Sequence, residues 1–324
     1  MFETDHSRRS FIVAGIGLLG AVSNGRASGQ GTAGAIPAGQ LRTYRIIGVP
    51  LRSGSLYPGT EDDARAYRDA GLIARLQRAG CRVVDDGDLA VPSYLPHHAV
   101  PPIRSWPGPR IVWDSLSERL QPLLKSPGQV PLLIGCDCSV VVGTVQALMQ
   151  TTSESLHVLY VDGDFDDAPP EAARSQSAAS LAVWLLTHAS AFSIGPALHP
   201  SQVTVIGCSA PSRSNDASVG RMDLANVRRL GPQEAARQVL SGIPHTAQVL
   251  LHLDIDVFQK AAFPVAYFPH ENGLTLSEGA QLISVLARDP RIRLIEISEY
   301  SSLRDNDLRW MGQLIDILSH ALQP

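Results

Sequence analysis

The sequence predicts a three-layer α/β/α fold built on a mainly parallel central sheet. Short apolar runs, typical of buried strands, alternate along the chain with longer segments of helical periodicity. Repeated strand–helix units of this kind form parallel sheets with helices on both faces. A composition of 44% hydrophobic and 18% charged residues agrees with a globular protein that has a sizeable core. We expect one domain over residues 39–324.

The strands and helices follow from these patterns in chain order. The apolar runs predict strands over 44–49, 81–84, 130–134, 156–161, 203–206, 249–253 and 292–297. The helical patterns cover 60–79, 111–124, 140–149, 178–188, 232–240, 277–287 and 308–322. Thr60 and Ser277 are the expected N-caps of two of these helices, because their hydroxyls can accept from free backbone N–H groups. The Pro-rich stretch 91–109 is predicted to be irregular.

The N-terminal residues 1–38 resemble a twin-arginine export signal followed by a flexible linker. Arg8 and Arg9 precede a short apolar run that ends near Val22, and a Gly- and Ser-rich segment follows. The run is too short and too rich in Gly to be a good membrane span, although an uncleaved N-terminal anchor is the alternative. The resemblance implies folding in a bacterial cytoplasm, passage through the twin-arginine export machinery, and a periplasmic protein with no membrane attachment after signal cleavage.

Charge and cysteine usage argue against two classes of protein. A formal net charge of −4 without a basic stripe argues against nucleic-acid binding. The four cysteines do not form a disulfide framework, because Cys136 and Cys138 are too close in sequence to bridge each other easily. Cys81 and Cys208 adjoin apolar strands and are predicted to be buried thiols.

Two Asp-x-Asp motifs are the strongest functional signal. Asp162 and Asp164 follow one predicted strand, and Asp254 and Asp256 follow another. Ligands bind at the carboxyl ends of parallel strands, so neighbouring strands would bring these four side chains and Asp166 together. So many carboxylates need a counter-charge, and a divalent metal with oxygen ligands supplies it. A single such motif can also cap a helix or hold a nucleotide sugar, so the pair carries the prediction.

Four segments resemble, in order and spacing, those of the arginase–agmatinase (ureohydrolase) family, and the chain is identified as a divergent member. The likeness extends from Arg45 to the C-terminus. The matching segments are Gly135-Cys-Asp-Cys138-Ser139 for Gly-Gly-Asp-His-Ser, Asp162-Gly-Asp164-Phe-Asp166 for Asp-Ala-His-x-Asp, Leu253-Asp254-Ile-Asp256 for Ser-x-Asp-x-Asp, and Glu296-Ile-Ser-Glu299-Tyr300 for a late strand whose Glu faces the substrate.

The resemblance implies a metal-dependent hydrolase. Family members bind two Mn²⁺ ions, and a hydroxide between them attacks the guanidinium carbon. The positions that match the metal ligands are Cys138, Asp162, Asp164, Asp166, Asp254 and Asp256. Asp166 is expected to accept a hydrogen bond from the hydroxide, and Glu299 to pair with a cationic substrate, which makes these two the expected catalytic residues. Homo-oligomers are usual in the family, so a trimer or hexamer is expected.

The chain departs from the family at several functional positions. Cys138 and Asp164 replace the two histidine ligands, and a thiolate favours Zn²⁺ or Fe²⁺ over Mn²⁺. Ala178 or Ala179 falls where the family has a proton-relaying histidine. The acids that hold an arginine α-amino group also have no counterpart near Cys208. We therefore expect hydrolysis of a C–N bond in a linear amidine or guanidino compound other than arginine.

Other interpretations remain open at this point. The chain could be a catalytically inactive binding or scaffold protein on the arginase fold. A phosphatase or sugar transferase is a third possibility, but its nucleophile motif or nucleotide pocket is not seen. Cys138 is either a metal ligand or a buried structural thiol. His252 is predicted to be a core histidine, whereas His270 either replaces the missing acid–base group or belongs to an ordinary turn.

Overall fold

The structure is a computed structural model, and it describes residues 42–50, 52–55, 62–214 and 217–324. The expected export signal and its linker therefore lie outside the described residues, as does the expected N-cap Thr60. Within the described ranges, no helix is long and apolar enough to cross a membrane.

A single sheet of parallel strands forms the centre of the part of the chain that the structure describes. The strands are β1 Thr43–Gly48, β2 Arg82–Asp88, β3 Gln129–Cys136, β4 Leu156–Val161, β5 Val203–Ile206, β6 Gly220–Met222, β7 Gln248–Asp254 and β8 Ile292–Ser298. Their order across the sheet is β2-β1-β3-β8-β7-β4-β5-β6, and every neighbouring pair is parallel. The central strands β4, β7 and β8 are buried along their full length, which explains their uninterrupted apolar runs.

Helices cover both faces of this sheet. They are α1 Asp63–Asp69, α2 Leu72–Arg78, α3 Gly108–Leu124, α4 Val141–Thr151, α5 Ala182–Thr187, α6 Leu224–Leu230, α7 Pro232–Ser241, α8 Leu276–Arg288 and α9 Arg309–Leu322. One hydrophobic core includes residues of α1, α2 and α6 to α9. A second core includes residues of α3, α4 and α5. Because the sheet is enclosed between two cores, the predicted α/β/α layering is confirmed.

The predicted helix over 60–79 is wrong in one respect, because it is two helices. Gly71 adopts a left-handed conformation with φ of 82° between α1 and α2, which ends the first helix. The side chain of Asp62 caps α1 by accepting from the backbone N–H of Arg65 at 2.9 Å. The prediction missed this break because the helical periodicity continues across the glycine.

The structure differs from the sequence prediction at two further places, each for a physical reason. Helix α8 begins at Leu276, and its N-cap is Thr275, because Thr275 and Glu278 exchange hydrogen bonds in a capping box. The predicted cap Ser277 therefore lies inside the helix. The sequence also gave no signal for β6 or α6, since the three residues of β6 do not form an apolar run.

Candidate metal centre

The candidate site lies where four neighbouring strands end. Strands β3, β8, β7 and β4 are consecutive in the sheet, and all run in the same direction. Cys138 follows β3, Glu299 follows β8, Asp254 ends β7 and Asp162 follows β4. Because β4 pairs directly with β7, the two Asp-x-Asp motifs are neighbours, as the metal hypothesis requires.

Backbone N–H groups hold the carboxylates of the two motifs in place. Asp162 Oδ1 accepts from the N–H of Asp164 at 2.6 Å, and Asp254 Oδ1 accepts from the N–H of Asp256 at 2.8 Å. Asp256 Oδ1 also accepts from the N–H of Gly163 at 3.0 Å, which joins the two motifs. A Cβ on Gly163 would lie 2.8 Å from the Asp256 carbonyl oxygen, so this approach requires glycine.

Asp166 and Glu299 share an unusual backbone conformation. Their φ angles are 49° and 63°, in the left-handed region that non-glycine residues adopt rarely. Such strain concentrates at functional sites. The Tyr160 hydroxyl donates to Asp166 Oδ2 at 2.7 Å, which fixes the orientation of that carboxylate.

The donor atoms of the cluster fit a divalent metal. Ligand atoms of Asp162, Asp254 and Asp256 lie within 4.8 Å of one another, and so do those of Asp164, Asp256 and His270. Asp162 Oδ2 is buried and accepts no hydrogen bond from the described residues. An unsatisfied buried carboxylate oxygen is costly unless a cation binds it. Carboxylate oxygens with one imidazole nitrogen are a common ligand set for such ions.

Burial and mutual repulsion raise the pKa of the deepest carboxylates. Desolvation raises the pKa of Asp162, Asp166 and Asp254 well above the ordinary range, and neighbouring carboxylates raise the pKa of each further. The cluster is therefore unfavourable in its fully ionised form unless a cation enters it.

His270, for which the sequence left an acid–base role and an ordinary turn open, lies beside the outer part of the cluster. Its Nε2 is 3.3 Å from Asp256 Oδ2 and 3.5 Å from Asp164 Oδ2, at ion-pair distance but without good hydrogen-bond alignment. These acids raise the pKa of His270 to about 10. Burial would raise the pKa of Asp164, but the imidazole outweighs it and the net shift is downward. His270 thus brings an imidazole close to Asp164, which stands where the family has a histidine.

Two other candidates are engaged inside the core. Cys138 Sγ is buried and donates to Asp254 Oδ2 at 2.7 Å, and burial raises the pKa of the thiol well above its ordinary value. His252 uses both ring nitrogens, with Glu296 Oε1 at 2.8 Å and Ser298 Oγ at 3.2 Å. Its ring also stacks on another aromatic ring, that of Tyr160, at 4.2 Å. The prediction of a satisfied core histidine is therefore confirmed, although His252 lies within ligand distance of Cys138.

Glu299 is paired with an internal guanidinium, which sequence reasoning missed. Its Oε2 makes an ion pair with Arg52 Nη2, and both side chains are buried. The Arg52 guanidinium stacks on the ring of Tyr267, with its carbon 3.1 Å from the ring centroid. Burial raises the pKa of Glu299 to about 7, although Arg52 opposes this shift. Burial alone would lower the pKa of Arg52, but Glu299 and its neighbours give a net increase.

A cavity of about 680 Å³ opens above the cluster. Its lining includes four of the clustered carboxylates and several neighbouring side chains, namely Asp164, Asp166, Asp254, Asp256, Cys138, Glu299, Tyr267, Phe268 and His270. Exposed arginines also line it, namely Arg174, Arg213 and Arg304. Ala179 contributes to the wall and Ala178 is buried, so neither candidate for the relay position carries a proton-transferring group.

Fold and site together define an α/β protein with an acidic candidate metal centre at the carboxyl edge of a parallel sheet. A model of the arginase family matches residues 42–315. The chain belongs to the arginase family, as the sequence motifs predicted.

Relatives and solved structures agree with this assignment. The chain is 27% identical to an arginase of Agrobacterium fabrum over 297 residues, which covers 86% of this chain and 90% of the relative. It is similar in fold to the arginase of Bacillus caldovelox, with a TM-score of 0.76 at 22% identity over 88% of this chain and 99% of that one. It is also similar to a Trypanosoma cruzi formiminoglutamase solved with Mn²⁺, with a TM-score of 0.68 at 16% identity over 87% and 93% of the two chains.

Proposed function

We propose that this protein is a metal-dependent hydrolase that cleaves a C–N bond in a linear amidine or guanidino compound other than arginine. The observation that carries the proposal is the buried, unsatisfied Oδ2 of Asp162 inside a cluster of ligand atoms. Membership of the arginase family supports the reaction class. The absence of a proton-transferring side chain at Ala178 and Ala179 argues against arginine as substrate.

The proposed ligands are those that the family motifs predict, with one addition. They are Cys138, Asp162, Asp164, Asp166, Asp254 and Asp256, and His270 adds an imidazole beside Asp164. When bound, a divalent ion lowers the pKa of a water and so supplies the nucleophile. Mn²⁺ is the family's metal, and Zn²⁺ or Fe²⁺ is favoured if Cys138 binds as a thiolate.

The chain's own residues position the reactants and move protons in this proposal. Tyr160 orients Asp166, which then accepts a hydrogen bond from the nucleophile. The alanines at the relay position cannot transfer a proton to the leaving amine, so Asp166, which accepts from the nucleophile, is the proposed proton donor. Glu299 is the family's substrate-facing carboxylate, and its pairing with Arg52 modifies that role.

Location and assembly complete the proposal. We infer from the N-terminal motif that the arginase-like domain over 39–324 is exported to the periplasm by the twin-arginine machinery. A homo-oligomer, trimer or hexamer, is proposed from the family resemblance. Size measurement of the native exported protein tests the assembly, and cell fractionation tests the location.

One observation favours a second candidate, a catalytically inactive binding protein on the same fold. The carboxylate expected to face a cationic substrate is already paired with Arg52. A protein that had lost turnover could retain such a closed pair. This candidate predicts no hydrolysis of any C–N compound by the metal-loaded protein.

Metal analysis of the natively exported protein tests the main proposal. We expect about two divalent ions per chain, as dinuclear hydrolases hold, and loss of metal in Asp254→Ala. Asp114→Asn, which removes an exposed carboxylate on α3, is the matched control and should retain the metal. Wild-type protein that binds no metal, even when Mn²⁺, Zn²⁺ or Fe²⁺ is supplied, would overturn the hydrolase proposal.

A further inference from the structure

Arg52 places a guanidinium inside the protein, directly on the carboxylate of Glu299. The two side chains are 1% and 3% exposed, so bulk water does not screen the pair. Glu299 lines the cavity beside Asp254 and Asp256. A cation that enters the cavity therefore meets a carboxylate that already has a cationic partner.

The local backbone is built to hold this pair. The N–H of Gly54 donates to Asp137 Oδ2 at 2.9 Å, which fixes the turn that follows Arg52. A Cβ on Gly54 would lie 2.0 Å from Ser139 Oγ, so the close approach of this turn requires glycine. The N–H of Tyr267 donates to the Glu299 carbonyl at 2.9 Å and holds the ring beneath the guanidinium.

The pair limits what a substrate can bring to this end of the cavity. A second guanidinium at Glu299 would face the Arg52 cation at close range in a buried setting, where like charges repel strongly. An uncharged group, such as a ureido or carboxamide group, does not face this repulsion. The reacting end of the substrate is therefore best left uncharged.

The arginines that line the cavity favour a negative charge at the end of the substrate that does not react. Arg174, Arg213 and Arg304 line the cavity and are exposed, whereas the carboxylates Asp254 and Asp256 are buried. Guanidinium groups bind carboxylates through paired hydrogen bonds. An anionic tail that extends from the metal cluster toward these arginines matches this distribution of charge.

We propose that Arg52 is a specificity-determining residue that occupies the guanidinium-binding position at Glu299, so that the cavity takes an anionic-tailed C–N substrate with an uncharged reacting group. This inference rests on the proposed hydrolase function and changes its substrate class from cationic amidino or guanidino groups to uncharged ones. For a ureido substrate, one water adds to the carbonyl carbon and the C–N bond breaks. The proton from the water goes to the departing amine, and no oxidation or reduction occurs.

Guanidinium rescue tests the role of Arg52 without any turnover. Removing the side chain in Arg52→Ala opens a guanidinium-sized space beside Glu299. Millimolar guanidinium chloride, compared with NaCl at equal ionic strength, should raise the Tm of Arg52→Ala by about 2–4 °C. The wild type should not respond, and the double variant Arg52→Ala/Glu299→Gln should respond less than the single variant, because Asp63, 3.7 Å from Arg52 Nε, is the carboxylate that remains there. No shift in Arg52→Ala, or an equal shift in the double variant, would overturn the proposal. If Arg52→Ala does not fold alone, its refolding yield in guanidinium chloride against NaCl replaces the Tm as the readout.

Turnover of a matched pair of substrates tests whether the protein prefers an uncharged reacting group. The compounds 3-ureidopropionate and 3-guanidinopropionate share a carboxylate tail and differ at the reacting end. Metal-loaded wild type should prefer the ureido compound in kcat/KM, and Arg52→Ala should shift the preference at least about tenfold toward the guanidino compound. Wild-type preference for the guanidino compound would contradict the proposal. Turnover of neither compound by any variant would count against the hydrolase function, while the guanidinium rescue would still decide the role of Arg52.

Discussion

Glu299 and Asp162 are both buried carboxylates of the candidate site, but their charges are balanced in different ways. Glu299 has an internal cation, because Arg52 pairs with it. Asp162 faces other carboxylates, and its Oδ2 has no partner among the described residues. The charge of Glu299 is balanced within the protein, whereas the charge of Asp162 requires a cation from outside. In our proposal, the region around Glu299 selects the substrate and the region around Asp162 recruits the metal.

Breaking the internal pair should have the largest effect on stability. Arg52→Ala leaves Glu299 buried without its cation, and loss of one member of a buried ion pair typically costs about 3–5 kcal/mol. Arg52→Ala/Glu299→Gln should recover part of this loss, because the charge at Glu299 is removed and only Asp63, 3.7 Å from Arg52 Nε, loses its cationic partner. Urea unfolding of the two variants and the wild type measures the difference. Equal stability of the single and double variants would contradict the inference that Arg52 balances the buried charge of Glu299.

Removing the unsatisfied carboxylate should weaken metal binding rather than folding. We expect Asp162→Asn to lower metal affinity at least about 100-fold, since removal of even a supporting residue typically costs 10–100-fold. Asp164→Asn should cost less, because His270 remains beside that position. Competition with a metal chelator measures both affinities. A larger loss in Asp164→Asn would reverse our assignment of the two positions.

The metal-free protein should lose stability as the pH rises. The folded state holds the pKa of Asp162, Asp166 and Asp254 above their unfolded values, so it binds more protons than the unfolded state above about pH 4. Stability therefore falls as the pH rises from there through the raised pKa values, and metal should remove much of this fall. Thermal unfolding across a range of pH, with and without chelator, tests whether stability falls as the pH rises.

Replacing the thiol should have the smallest effect. Cys138→Ser keeps a small polar side chain near Asp254 but removes the soft ligand. If Cys138 binds metal, the preference for Zn²⁺ over Mn²⁺ should fall about tenfold. Competition binding of the two ions measures this ratio. An unchanged ratio would make Cys138 a structural thiol, which is the alternative that the sequence left open.

The sequence predicted the features that depend on local pattern. Apolar runs located seven of the strands described, and the Asp-x-Asp motifs located the metal cluster, because both are short segments with a fixed periodicity. The partners of these carboxylates were not predictable in the same way. Arg52 and His270 come from loops, and only the tertiary fold brings them to Glu299 and Asp164. The break at Gly71 was missed for a different reason, because the helical periodicity continues across this left-handed glycine.

The pairing of β4 with β7 also has a consequence for the order of events during biosynthesis. The two acidic motifs follow strands that are far apart in the chain, with α5, β5, β6, α6 and α7 between them. A complete coordination sphere cannot exist until this intervening segment has folded and the two strands have met. Metal loading thus reports that the sheet is assembled. If the chain is exported in folded form, cytoplasmic metal supply would act as a checkpoint before translocation.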